Sequence, residues 1–185
     1  MTLSLWAQGG SATGGFRGLA GIEGSSTSAN DAYSLKLTQS SDLINWTFRG
    51  TGPLASPGTF NSYAAANSGW AHIVGTFDGI TGKAVLYVNG AQVATSTNVA
   101  HAIPDRSVNF GIGRYNNTTS FAFDKAIDDV QLYDTALSTD DISFLFANPG
   151  SALGGAVNTA PEPSTLVLAA LGFVGLMGTR RRRRR

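Results

Sequence analysis

The residues best suited to chemistry in this 185-residue chain are two neighbouring carboxylates, Asp128 and Asp129, and a few aromatic rings. Glycosidic hydrolysis needs two carboxyl groups about 5–10 Å apart across the scissile bond. The chain has only two glutamates, Glu23 and Glu162. Asp128 and Asp129 are adjacent on a strand-like stretch, where successive side chains point to opposite faces, so the spacing predicts that they cannot form such a pair. His72 and His101 are isolated, without a second ligand at metal spacing. Gly111-Ile112-Gly113 lacks the third glycine of a dinucleotide loop, Gly82-Lys83 lacks the rest of a P-loop, and no Gly-x-Ser-x-Gly elbow occurs. No catalytic residue is predicted. Sugar binding asks for less: flat rings on which pyranose faces stack, with donors and acceptors beside them. Trp46, Tyr63 and Tyr115 fall at predicted strand ends or in loops and are the candidate platforms. Tyr115 lies in the polar stretch Arg114-Tyr115-Asn116-Asn117, where Asn116 can both donate and accept. Core packing is the competing assignment for Trp46.

Composition narrows the classes. Charged residues are 14% of the chain and glycines number 23, which suits strands and turns better than a helical bundle. Six of the 13 basic residues form the terminal run Arg180, Arg181, Arg182, Arg183, Arg184 and Arg185. Residues 1–160 hold seven basic and 11 acidic residues, a net charge of −4. That body offers no basic face to a phosphate backbone, so no nucleic-acid partner is predicted. The absence of cysteine excludes disulfides and thiolate metal sites.

Alternation then predicts the elements that must position the candidates. Thr2 to Gln8 alternates around Leu3, Leu5 and Ala7, with Trp6 on the other face. Tyr33, Leu35 and Leu37 alternate with Ser34 and Lys36, the pattern of a half-buried strand, and Leu43 to Phe48 reads as its neighbour. Trp70 to Phe77, Lys83 to Val88 and Ala91 to Thr95 predict a three-stranded meander. Asp78 belongs to a turn cluster, and Asn89-Gly90 predicts a type I′ hairpin because both central residues need positive φ. Ser107 to Gly113 and Ala126 to Tyr133 are two more predicted strands. Ser138 and Asp141 are spaced as a capping box before a short helix carrying Ile142, Leu145 and Phe146 and ending near Asn148-Pro149. Short strands with one late helix predict an all-β sandwich.

The C-terminus differs in kind. Residues 150–160 are small and polar, a linker. Pro161, Glu162 and Pro163 follow, then an apolar run containing Leu166, Val167, Leu168, Leu171, Phe173, Val174, Leu176 and Met177, then the arginines. The 14 residues from Thr165 to Gly178 would span about 21 Å as a helix, short of a ~30 Å hydrocarbon core unless Arg180 snorkels. The arginines are expected to stay cytoplasmic, with the sandwich on the far side of the membrane.

Two stretches carry family resemblances. WAHIVGTFDGITGKAVLYVNGAQVA (Trp70 to Ala94), followed by AIDDVQLYDTALSTDDISFLF (Ala126 to Phe146), resembles the laminin-G-like family of concanavalin A-type jelly rolls, and TLSLWAQ (Thr2 to Gln8) is similar to an early strand of it. The resemblance covers about residues 2–148 and implies a jelly-roll β-sandwich of antiparallel strands. It also makes Asp128 a calcium candidate, set against a structural carboxylate that accepts backbone N–H bonds. The Glu-x-Asp-x-Glu pattern of the family's glucanase branch is missing. PEPSTLVLAALGFVGLMGTRRRRRR (Pro161 to Arg185) is similar to PEP-CTERM tails, which implies a bacterial exported protein, an exosortase-type partner, transient anchoring by a transmembrane helix, and cleavage near the motif. The expected organisation is a laminin-G-like domain over 1–149, a linker over 150–160 and a sorting tail over 161–185. Because the family usually has sequence before its TLSLWAQ-like strand, and export needs a signal peptide, the domain is expected to be N-terminally incomplete. The implied function is a non-catalytic binding or structural module of the cell surface or extracellular matrix, with an extracellular polysaccharide or a surface protein as partner. The alternative is a degenerate or unrecognised polysaccharide-active enzyme, a glycosidase or lyase.

Overall fold

The computed structural model describes residues 1–9, 16–23, 32–38, 43–48, 58–64 (backbone only), 69–97, 100, 102–105, 109–114 and 121–154. Ten strands and one helix are described: β1 (Thr2–Gln8), β2 (Arg17–Ile22), β3 (Tyr33–Leu37), β4 (Leu43–Phe48), β5 (Gly58–Ala64), β6 (Trp70–Phe77), β7 (Lys83–Val88), β8 (Ala91–Thr97), β9 (Gly111–Ile112), β10 (Ile127–Tyr133) and α1 (Thr139–Ala147). They form two five-stranded antiparallel sheets, β10-β1-β6-β7-β8 and β5-β4-β3-β2-β9. This is the expected jelly-roll sandwich. The chain divides into two compact units, Met1–Ala152 and Leu153–Arg185. The sorting tail and its apolar run lie outside the described residues. Among the described residues no helix is long and apolar enough to cross a membrane.

Alternation dictates the core. Leu3, Leu5 and Ala7 of β1 meet Ala71, Ile73 and Phe77 of β6 and Ala84, Leu86 and Val88 of β7 on the inner face of the first sheet. Leu35, Leu37, Ile44, Trp46 and Phe48 oppose them from the second. The layers lock through Phe48 stacked on Phe77, ring centroids 4.3 Å apart, and through Trp46 Nε1, which donates to the Thr76 carbonyl at 3.1 Å.

The turn chemistry follows the sequence. Val88 pairs with Ala91, and Asn89 and Gly90 take φ of 51° and 77°, the two positive values of a type I′ turn. Asp78 Oδ1 accepts from Ile80 N–H at 2.9 Å while Oδ2 accepts from the Thr81 hydroxyl at 2.7 Å, which closes the β6–β7 turn and holds the Asp78 carboxyl below its usual range. Ser138 caps α1 with the full capping box to Asp141.

Part of the outer face of the first sheet is covered by α1. Ile142 and Leu137 pack on Val74, Val85 and Tyr87, a second apolar cluster separate from the main core. Thr2 fixes the approach to the helix: its hydroxyl donates to the Thr135 carbonyl at 2.8 Å and accepts from Leu137 N–H at 2.9 Å.

Two strands, β2 and β5, lie outside the sequence expectations. Gly18 and Gly21 leave β2 without an apolar period, and β5 (GTFNSYA) is largely polar. Of the predicted strand over 107–113, residues 109–113 are described, and only Gly111–Ile112 form strand, paired with β2.

Candidate functional site

The outer face of the first sheet runs through Ser4 and Trp6 on β1 and His72 and Val74 on β6, because Trp6 pairs with His72 and Ser4 with Val74. Trp70 extends that face at the start of β6 and is 47% exposed. Phe146 at the end of α1 stacks on Trp6 with centroids 5.9 Å apart and on His72 at 6.1 Å. One end of the sheet is thereby walled by aromatic rings.

The carboxylates reach the same place through a bulge. Ser4 pairs with Gln131 but Trp6 pairs with Asp128, so Asp129 and Val130 together oppose Leu5. Asp129 takes φ of 49° to accommodate the extra residue. Residues 131 and 129 are in one alternation frame and Asp128 is in the next, and both frames turn their partners toward the outer face. Asp128 and Asp129 consequently line one concavity. The expectation that they face opposite ways is corrected: it assumed an unbroken strand, and the bulge removes that condition.

That concavity has a volume of about 470 Å³ and is lined by Trp6, Trp70, Asp128, Asp129, Pro149 and Gly150. Asp129 is held rigidly: Oδ2 accepts from Gly150 N–H at 2.9 Å and Oδ1 accepts from Gln131 Nε2 at 2.6 Å. Gln131 Nε2 also donates to the Ser151 carbonyl at 2.8 Å, and the Tyr133 hydroxyl donates to Gln131 Oε1. The chain after α1 is thus pinned to the bulge, and Gly150, at φ of 80°, makes the turn that brings it there. Asp128 is exposed, and its Oδ1 accepts the Asp129 N–H at 2.8 Å.

The other sequence candidates divide. Trp46 is corrected: it is 0% exposed in the inter-sheet core and offers no face to a ligand. Tyr63 lies on β5, but its side chain is outside the described residues, as are Tyr115, Asn116 and His101. Among the described residues no group of three His, Asp or Glu side chains gathers to hold a metal. The calcium candidate Asp128 has Asp129 beside it on the concavity, and one of its two carboxylate oxygens, Oδ1, serves the bulge backbone as a structural acceptor. Sequence reading misses Trp6 and Trp70 as a pair. The available signal is Trp6 breaking the apolar parity of β1 together with a tryptophan opening the Trp70 strand.

His72 stands behind this wall. Its Nε2 is 2.9 Å from Ser4 Oγ, its Nδ1 is buried without a partner, and the Trp6 indole Nε1 is likewise buried and unpaired. Burial drives the His72 pKa down to about 4, against an opposing pull from Asp129. Unfolded chains take up that proton near pH 6.5. Stability is therefore full above about pH 6.5 and falls as pH drops toward 4, by on the order of 2 kcal/mol. Urea midpoints at pH 7.5 and 4.5 should show that loss in the wild type, and His72→Gln should shrink it. An equal loss in the variant would remove His72 as its source.

An antiparallel two-layer jelly roll with an open aromatic and acidic concavity on one outer face is a lectin-like domain in build. The chain belongs to the concanavalin A-like lectin/glucanases superfamily, whose laminin-G model matches residues 1–143. A PEP-CTERM protein-sorting motif matches residues 159–184, a signal for export with C-terminal sorting and membrane anchoring before cleavage. Among solved structures, the Ruminococcus gnavus IT-sialidase CBM40 bound to alpha2,3 sialyllactose is 21% identical, with a TM-score of 0.63 over 78% of this chain and 81% of that one. A native heptameric SAP-like pentraxin from Limulus polyphemus is 16% identical, with a TM-score of 0.57 over 78% of this chain and 68% of that one. Trypanosoma rangeli sialidase in complex with the inhibitor DANA is 23% identical, with a TM-score of 0.55, and the match covers 78% of this chain but 22% of that one. These likenesses are of fold. No curated protein matches the chain by sequence.

Proposed function

We propose that this protein is an exported, non-catalytic carbohydrate-binding module of the cell surface or extracellular matrix. Its C-terminus is read by an exosortase-type enzyme after transient anchoring in the membrane. The glycan lies in the Trp6–Trp70–Asp128–Asp129 concavity. The observation that carries this reading is one open hollow of about 470 Å³ combining an exposed indole with two carboxylates. Indole faces suit the apolar faces of pyranoses, and carboxylates accept hydrogen bonds from sugar hydroxyls. The superfamily and the fold likeness to a carbohydrate-binding module support it.

One observation favours a second reading. With both carboxylates on one hollow, a degenerate glycosidase or lyase returns as the alternative. Against it, Asp129 is tied to Gly150 and Gln131, and the sole glutamate of the sandwich, Glu23, is engaged by Lys36 and Ser34. A glycan array probed with the full chain, with calcium and with EDTA, tests the binding reading. Retention of a defined set of glycans is expected, and silence across the array would leave a matrix protein with no specific ligand. Polysaccharide turnover abolished by Asp128→Asn or Asp129→Asn would establish the enzyme instead.

A further inference from the structure

The charge of the concavity says more than its shape. Among the described residues its lining is two indoles, two carboxylates, a proline and a glycine, with no lysine, arginine or histidine. Asp129 is fixed by two hydrogen bonds, so its charge does not swing away from a ligand. Asp128 stands beside it, exposed to the hollow. Residues 1–160 carry a net charge of −4, so the surrounding field has the same sign.

Resting on the carbohydrate reading of this same site, we propose that its ligand is a glycan bearing a free, protonated amine: a deacetylated amino sugar rather than an N-acetylated or acidic one. A neutral sugar can stack on Trp70 and donate hydroxyls to the carboxylates. An ammonium group on the same ring gains a charge-assisted hydrogen bond to Asp128 or Asp129, and the indole faces of Trp6 and Trp70 add cation–π attraction. N-acetylation removes both attractions. A sialic-acid-bearing glycan brings its own carboxylate against two others, with no cation among the described lining residues to meet it. A lysine-rich peptide would satisfy the charges but has no flat apolar ring face for the indoles, so the sugar uses more of the site.

The test is titration calorimetry of the full chain at about pH 6 and low salt with four probes: a glucosamine hexamer, an N-acetylglucosamine hexamer, 3′-sialyllactose and hexalysine. The glucosamine hexamer is expected to bind at least about tenfold more tightly than the other three, with that preference eroding as salt rises. Asp128→Asn is expected to reduce the preference severalfold with an unchanged urea midpoint, since Asp128 is exposed and Asp129 is left in place. Equal binding of the two hexamers would overturn the amine assignment and leave the carbohydrate reading standing. Tighter binding of hexalysine than of any sugar would overturn both in favour of a cationic peptide. Silence with all four probes overturns the amine assignment, and the glycan array then decides the broader reading separately.

Discussion

Lys36→Met is expected to cost about 3–5 kcal/mol of folding stability, read as a fall in the urea midpoint. Lys36 and Glu23 form an ion pair on the outer face of the second sheet, at 5% and 7% exposure. Ser34 Oγ donates to the same Glu23 oxygen, and the Lys36 ammonium lies 5.3 Å from the centre of the Phe16 ring. Removing the lysine takes the Lys36 charge away from a buried carboxylate, and the cost of keeping that carboxylate out of water outweighs the contacts the methionine restores. The double variant Glu23→Leu/Lys36→Met removes both charges and should recover most of the loss. A single variant that costs less than about 1 kcal/mol, or a double variant no better than the single, would show that this pair is not sealed from water.

Trp46→Ala should be of the same size, about 3–5 kcal/mol, for a different reason. The Trp46 ring fills the space where a side chain on Gly75 would sit: a Cβ there would lie 2.4 Å from Trp46 Cδ2. Truncation opens a cavity between the layers and removes the indole's hydrogen bond to the Thr76 carbonyl, which keeps its ladder partner Val85. Gly75→Ala attacks the same contact from the other sheet by overpacking and should cost about 1–3 kcal/mol. Both losses should appear in the urea midpoint, and the fraction still folded should bind glycan as the wild type does. A Trp46→Ala protein of normal stability that had lost binding would return Trp46 to the ligand surface.

The strands with a clean period are legible in the sequence. β1, β6, β7 and β8, the Asn89-Gly90 turn and the capped helix follow from alternation, positive φ and capping, which are local effects. What escapes a sequence reading is set by tertiary contact. β3 reads as half-buried, yet Ser34 and Lys36 are as buried as Leu35, because Glu23 arrives from the end of β2 to neutralise the polar face. Trp46 resembles a platform because sequence alone does not say that its strand is covered. The site is half legible. Asp128 stands out by its type, but the bulge that brings Asp129 beside it depends on how β10 registers against β1, which neither strand's own pattern reveals. Trp70 reads only as a strand start, and its role follows from the pairing Gln8–Trp70 that carries it to the rim of the hollow.

The most direct measurement is the affinity of Trp70→Ala for a glycan retained by the wild-type chain, determined by calorimetry beside its urea midpoint. Loss of one stacking face should weaken binding by about tenfold or more, while the midpoint falls less than in Trp46→Ala because about half of Trp70 is already in solvent. Undiminished affinity in this variant would place the sugar elsewhere on the sandwich and contradict the assignment of the indole–carboxylate hollow.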